Sequence, residues 1–164
     1  MGKIEFIKDG LEMARNYTDG LFAKFQNADE WVHQPHPQAN HALWCAGHLA
    51  ATDDFAISLL APDQVSPREG YKELFGGGST PVADAAKYPS PAEILDYLKE
   101  RRAALIGVLA GLSEADLSKP TPDDAPDFMP TVEAVFRIVT WHEGLHAGQA
   151  SIAHRSLGKA PVMG

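Results

Sequence analysis

Cysteine is nearly missing from this chain of 164 residues: Cys45 stands alone. A single cysteine excludes an internal disulfide and a cysteine-built zinc ribbon. Long apolar runs are missing too. No stretch nears the roughly 20 apolar residues that a bilayer-spanning helix needs, so no membrane association is expected. Positive charge is scarce, with 14 Lys and Arg against 22 Asp and Glu and a formal net charge of −8. That balance argues against a general nucleic-acid binder and a polybasic membrane-surface protein. The opening stretch MGKIEFIKDGLEMARN is charged throughout and lacks the apolar centre of a secretory leader, so the expected setting is a reducing cytoplasm. Period-two alternation, internal repeats and a G-x-S-x-G elbow are not found either. The run Gly76-Gly77-Gly78 is not followed by Lys, so it is no Walker loop.

What the chain does contain is helical periodicity. Apolar residues make up 45% and charged residues 22%, an ordinary globular balance. Over residues 3–25, Ile4, Ile7, Leu11, Ala14, Tyr17, Leu21 and Phe25 fall at steps of three and four. Residues 29–38 form a connector because Pro35 and Pro37 cannot sit inside a helix. A second helix is expected from about Ala39 to Leu60, stopped by Ala61-Pro62. A long irregular segment follows over 62–89, and a segment of this length either packs over something functional or makes a mobile surface excursion. Ser90-Pro91-Ala92-Glu93 then reads as a capping box opening a third helix, closed by Gly111. One short turn is expected at 113–117. Four prolines make a linker of 118–130, and a last helix runs from Thr131 to about Leu157. The expected fold is all-α: a single domain over 1–164, a four-helix up-down bundle with long crossover connections.

Seven histidines in so short a chain are the unusual feature. His142 and His146 are four apart, so their rings leave the same helix face one turn from each other. That face is otherwise apolar, and an imidazole pair there needs partners that apolar neighbours do not supply. His48 lies on the buried stripe of the second helix with Trp44, Thr52 and Phe55. Three imidazoles from two facing helices can hold one divalent metal and leave positions open for water or substrate. His48, His142 and His146 are therefore the candidate metal ligands. His33 and His36 fall in the Pro-rich connector, and His154 is rotated off the 142/146 face toward the helix C-terminus. His41, at the start of its helix, suits capping or outer support better than ligation. Cys45 could face the metal, but a buried small hydrophobe is the commoner role. Trp44 and Trp141 are expected in the core. Arg101-Arg102 could meet an acidic cofactor, although a solvated face is the more frequent fate of such a pair. Gln149, on the stripe of His142, is placed to pack beneath the site or hydrogen-bond a ligand.

The segment His142-Glu143-Gly144-Leu145-His146 matches H-E-x-x-H literally. The metalloprotease reading lacks its context. Gln149 and Ile152 stand where the extended motif requires Gly and His, and no strand is expected to hold a peptide. Glu143, about 100° around the helix from His142, points away from the metal and is not assigned as a base.

The segments NHALWCAGHLA, YPSPAEILDYLKERRAAL, LSEADL and WHEGLHAGQASIAHR together resemble the DinB/YfiT-like family of bacterial proteins over nearly the whole chain. Gly47-His48-Leu49 and the His142…His146 pair followed by Gly148-Gln149 carry the specific part of the likeness. The resemblance implies a four-helix bundle, commonly dimeric, with a divalent metal such as nickel or zinc on His48, His142 and His146. Some relatives transfer small thiols (bacillithiol, mycothiol or glutathione) to electrophiles, or isomerise a maleyl-type substrate with a thiol cofactor. The expected function is thus metal-dependent transfer of a low-molecular-weight thiol to a small-molecule electrophile. The alternatives are a metal-binding stress or interaction domain without turnover and a metal-dependent hydrolase of small substrates. A fourth protein ligand, Cys45 or His41, would point to the domain without turnover; an open position in a pocket would point to an enzyme.

Overall fold

The computed structural model describes residues 2–162 and is all-helical, with one isolated bridge between Pro120 and Thr131. Four long helices carry it: α1 (Lys3–Phe22), α3 (Ala42–Leu60), α5 (Pro91–Ala110) and α6 (Val132–Ser156). Two short helices lie in the connections, α2 (Ala28–Trp31) and α4 (Tyr71–Phe75), along with three single 3-10 turns. The connector after α1 is thus partly helical, because Asn27 accepts from the Glu30 amide and caps one turn.

Local chemistry sets the helix ends. Ser90 and Glu93 form the reciprocal capping box at α5. Thr131 accepts from the Ala134 amide at α6. His41 caps α3 through its ring, Nδ1 accepting from Trp44 N at 3.0 Å. After α6, Gly158 takes φ 79°, the left-handed conformation that glycine adopts without a steric penalty.

The contacts fix helix directions. Lys3 pairs with Glu133 and Arg15 with Glu143, so α1 and α6 run parallel. His41 meets Tyr88 and Asp53 meets Arg102, so α3 and α5 also run parallel. Asn40 bonds Gln149 and His48 meets His142, so α3 and α6 are antiparallel. The 61–90 connection is therefore a true crossover, long enough to return the chain to the end where α3 began. It is no mobile excursion: Phe75 and Tyr71 are buried in the core.

The core has two apolar halves. One gathers Phe22, Phe25, Trp31, Leu43, Phe75 and Tyr97 with their neighbours. The other gathers Leu11, Ile57, Leu105, Val135, Phe136 and Val139. Between them lies a layer of charge. Arg15, Asp53, Arg102 and Glu143 come one from each long helix, and all are buried. Arg15 Nε donates to Glu143 Oε1 at 2.6 Å and its Nη2 to Asp53 Oδ2 at 3.1 Å. Arg102 grips both Asp53 oxygens at 2.9 Å and reaches Glu143 Oε2 at 2.5 Å. The spare guanidinium nitrogens donate to the carbonyls of Leu98 and Leu11. Two cations and two anions cancel, which is the condition under which buried charge is tolerated.

This corrects the expectation for Arg101-Arg102. Neither faces solvent: Arg102 completes the charge layer, and Arg101 is buried against Asp54 at 3.0 Å. The expectation for Trp141 also fails, since the residue is 62% exposed.

Candidate metal centre

Helix α3 projects His48 toward α6, which presents His142 and His146 from successive turns. Their ligand atoms lie within 4.8 Å of one another. His142 Nε2 is 3.2 Å from His48 Nε2 and 3.0 Å from His146 Nε2. Three ring nitrogens thus converge on one point.

The outer nitrogens decide which protons are present. His48 Nδ1 lies 2.6 Å from the Phe75 carbonyl oxygen, which only accepts, so this nitrogen carries the hydrogen. His146 Nδ1 donates to Gln149 Oε1 at 2.8 Å, and the same oxygen accepts from Asn40 Nδ2 at 2.9 Å. In both rings Nε2 is left with its lone pair aimed inward. His142 can donate to one of the two at most, and its buried Nδ1 has no partner among the described residues. Three ring nitrogens that face one another with at most one proton among them form a donor set suited to a cation. Burial holds all three rings neutral, the form that ligates. His142 is pushed down to about 4 by burial and then by His48. His146 is pushed to about 3 by burial, then by its two neighbours. His48 is lowered for the same first reason.

The surroundings orient these rings. The Trp44 indole stacks on His48 with centroids 4.5 Å apart and planes 14° from parallel, while its Nε1–H donates to Ser79 Oγ at 2.9 Å. Gly47 explains how α4 comes so close: a Cβ there would lie 2.4 Å from the Phe75 ring. The absent side chain lets Phe75 dock, and docking carries its carbonyl to His48.

The remaining candidates separate cleanly. His41 caps α3 and its Nε2 meets the Val82 carbonyl oxygen at 3.1 Å, so it is no part of the trio. Cys45 is fully buried beside Gln149, and burial pushes its thiol well above the ordinary range. Gln149 takes the hydrogen-bonding role foreseen for it. His33 bonds Ser156 and His36 its own turn at Gln38. His154 packs edge-on against Phe25 in the last turn of α6. Glu143 points away from the trio into the charge layer, as its position on the helix predicts. The layer itself went unseen in the sequence, although Asp53-Asp54 are the only charges within α3 and had to be answered somewhere.

A cavity of about 1320 Å³ opens beside the trio. His48 and His142 are among its lining residues, while α4, the 62–78 segment and Phe128 of the Pro-rich linker form other walls.

A helical bundle with three inward imidazoles on two antiparallel helices is the class that fold and site define. The chain belongs to the DinB superfamily, whose profile matches residues 10–150. It is similar in fold to the crystal structure of a conserved protein from Enterococcus faecalis, with TM-score 0.73 and 21% identity over 97% of this chain and 99% of that one. No curated protein matches the sequence. Among the described residues no helix is long and apolar enough to cross a membrane.

Proposed function

We propose that the protein binds a divalent metal, zinc or nickel, through His48, His142 and His146, and uses it to transfer a small thiol to an electrophile. The observation that carries this reading is the open side of the trio. Among the described residues only three donors converge, Cys45 and His41 are committed elsewhere, and a cavity of about 1320 Å³ reaches His48 and His142. An open position beside a pocket favours turnover over a closed structural site. When bound, the cation supplies Lewis acidity, which lowers the pKa of a coordinated thiol and favours the thiolate.

The chain's own contribution is positional. Phe75 and Gln149 hold two imidazoles in the ligating tautomer, and Trp44 braces one of them. Cys45 is no rival nucleophile, since it is buried and held protonated. A hydrolytic reading with Glu143 as base is disfavoured, because that carboxylate is bound by two arginines away from the trio. The homodimer implied by the family is part of this proposal, with exposed Leu145 and Ile152 on α6 as apolar surface for it.

Elemental analysis of the purified protein tests the site. His142→Ala and His146→Ala should lose the metal, and His154→Ala should keep it. A panel of glutathione, bacillithiol and mycothiol with a chromogenic aryl halide tests the reaction. Turnover with one thiol that disappears in His142→Ala supports it; equal rates in the two proteins reject it.

A further inference from the structure

The cavity beside the trio carries more information than its size. Of the nine large apolar side chains left exposed on the described residues, four line this one cavity: Phe55, Val65, Phe128 and Trp141. Exposed apolar groups gathered around one opening mark a binding surface. Three of the four are aromatic, and they come from α3, the Pro-rich linker and α6, so they surround the space from several sides.

The charges in the same cavity are selective. Its one carboxylate, Asp54, is committed, because Arg101 Nη1 and the Ser66 amide both donate to its Oδ1. Arg68 is committed as well: it donates to the Glu93 carbonyl and to Glu100, and it stacks over the Tyr97 ring at 4.5 Å. Arg137 and Lys72 also line the cavity, and their side chains have neither hydrogen bond nor ion pair among the described residues. Both are exposed, and what sets them apart from other unpaired surface cations is their place beside the cavity's apolar walls. Arg137 also sits at a defined place. It lies five residues before His142 on α6, about 7–8 Å along the helix axis.

We infer that the cavity takes an aromatic organic anion, its ring among Phe55, Phe128 and Trp141 and its acidic group on Arg137 and Lys72. This inference rests on the proposed reaction only in making that anion the electrophile's scaffold. The recognition itself follows from the cavity and does not need the metal. Guanidinium matches the two-oxygen edge of a carboxylate or sulfonate, whereas lysine adds a point charge.

Calorimetry separates the two readings. The full-length protein, as purified and again after chelation, is titrated with naphthalene-2-sulfonate and with uncharged 2-naphthylmethanol. The same titrations are run on Arg137→Gln, Lys72→Gln and the double variant. The sulfonate should bind the native chain about tenfold more tightly than the alcohol, the scale of one charge-assisted contact. The preference should survive chelation, shrink in each single variant and vanish in the double variant, with the alcohol binding all four proteins alike. Equal binding of the two probes, no binding of either, a preference lost on chelation, or one that persists in the double variant would each overturn the inference. Because the sulfonate is a poor metal ligand and no thiol is present, a failed transferase assay leaves this result untouched, and the reverse also holds.

Discussion

Two polar clusters share the middle of this bundle and obey opposite rules. In the layer of Arg15, Asp53, Arg102 and Glu143, the four charges cancel and the guanidinium groups also reach backbone carbonyls. In the trio of His48, His142 and His146, three ring nitrogens face one another with at most one proton among them, and a further buried nitrogen has no partner among the described residues. His142 and Glu143 are neighbours in sequence, yet one helical step sends them into different chemistry. Saturation marks the first cluster as structural. Deficiency marks the second as a place that something else completes.

The sharpest way to break this contrast is to remove one member of each. Glu143→Ala strands two buried arginines and should cost about 3–5 kcal/mol in urea unfolding, while the folded fraction still binds metal. His142→Ala should do the reverse: metal affinity falls beyond the roughly 10–100-fold expected of an outer partner, and metal-free stability changes by about 1 kcal/mol or less. If both variants lose stability alike, the distinction fails. Gly47→Ala comes next, since the added methyl meets the Phe75 ring. Overpacking of that kind costs about 1–3 kcal/mol, and a chelator competition should show weaker metal binding as the Phe75 carbonyl shifts. Gln149→Leu removes the acceptor for His146 Nδ1 and should weaken the metal roughly tenfold with little change in fold.

A pH slope gives a further test. His41 is held at about 4 in the fold by burial, against 6.5 for a free ring. Between these values the unfolded chain binds the proton that the folded chain refuses. Its contribution is therefore complete above about 6.5 and is lost as pH falls toward about 4. His142, at about 4, and His146, at about 3, act in the same sense in the metal-free protein. Unfolding free energy of the chelated protein should rise with pH across this window, and His41→Asn, which keeps a capping acceptor, should flatten part of the slope.

Much of this was legible from spacing. The i,i+4 pair and the apolar stripe of α3 located the three imidazoles, because helical periodicity places side chains by number alone. Ser90 and Glu93 announced α5 for a similar reason. The charge layer was not legible, because its members are 128 residues apart at the extreme and pair only after folding. The clue lay in matched doublets: Asp53-Asp54 in an apolar helix and Arg101-Arg102 in another, each pair meeting across the α3–α5 contact. Trp141 was misplaced because its helix looked buried on several sides, and nothing local revealed that this face opens on a cavity.

The contact between Phe75 and His48 has a consequence for how this protein can vary. The crossover orients a ligand through a main-chain oxygen, which every residue type possesses. Side chains along most of the crossover are therefore free to drift while the site persists, provided the path of the chain is kept. Length is not free in this way. A one-residue insertion or deletion within α4, between the buried Tyr71 and Phe75, would move the carbonyl off its imidazole even if every ligand remained. Tolerance at this site is thus governed by the geometry of a loop and only weakly by its spelling.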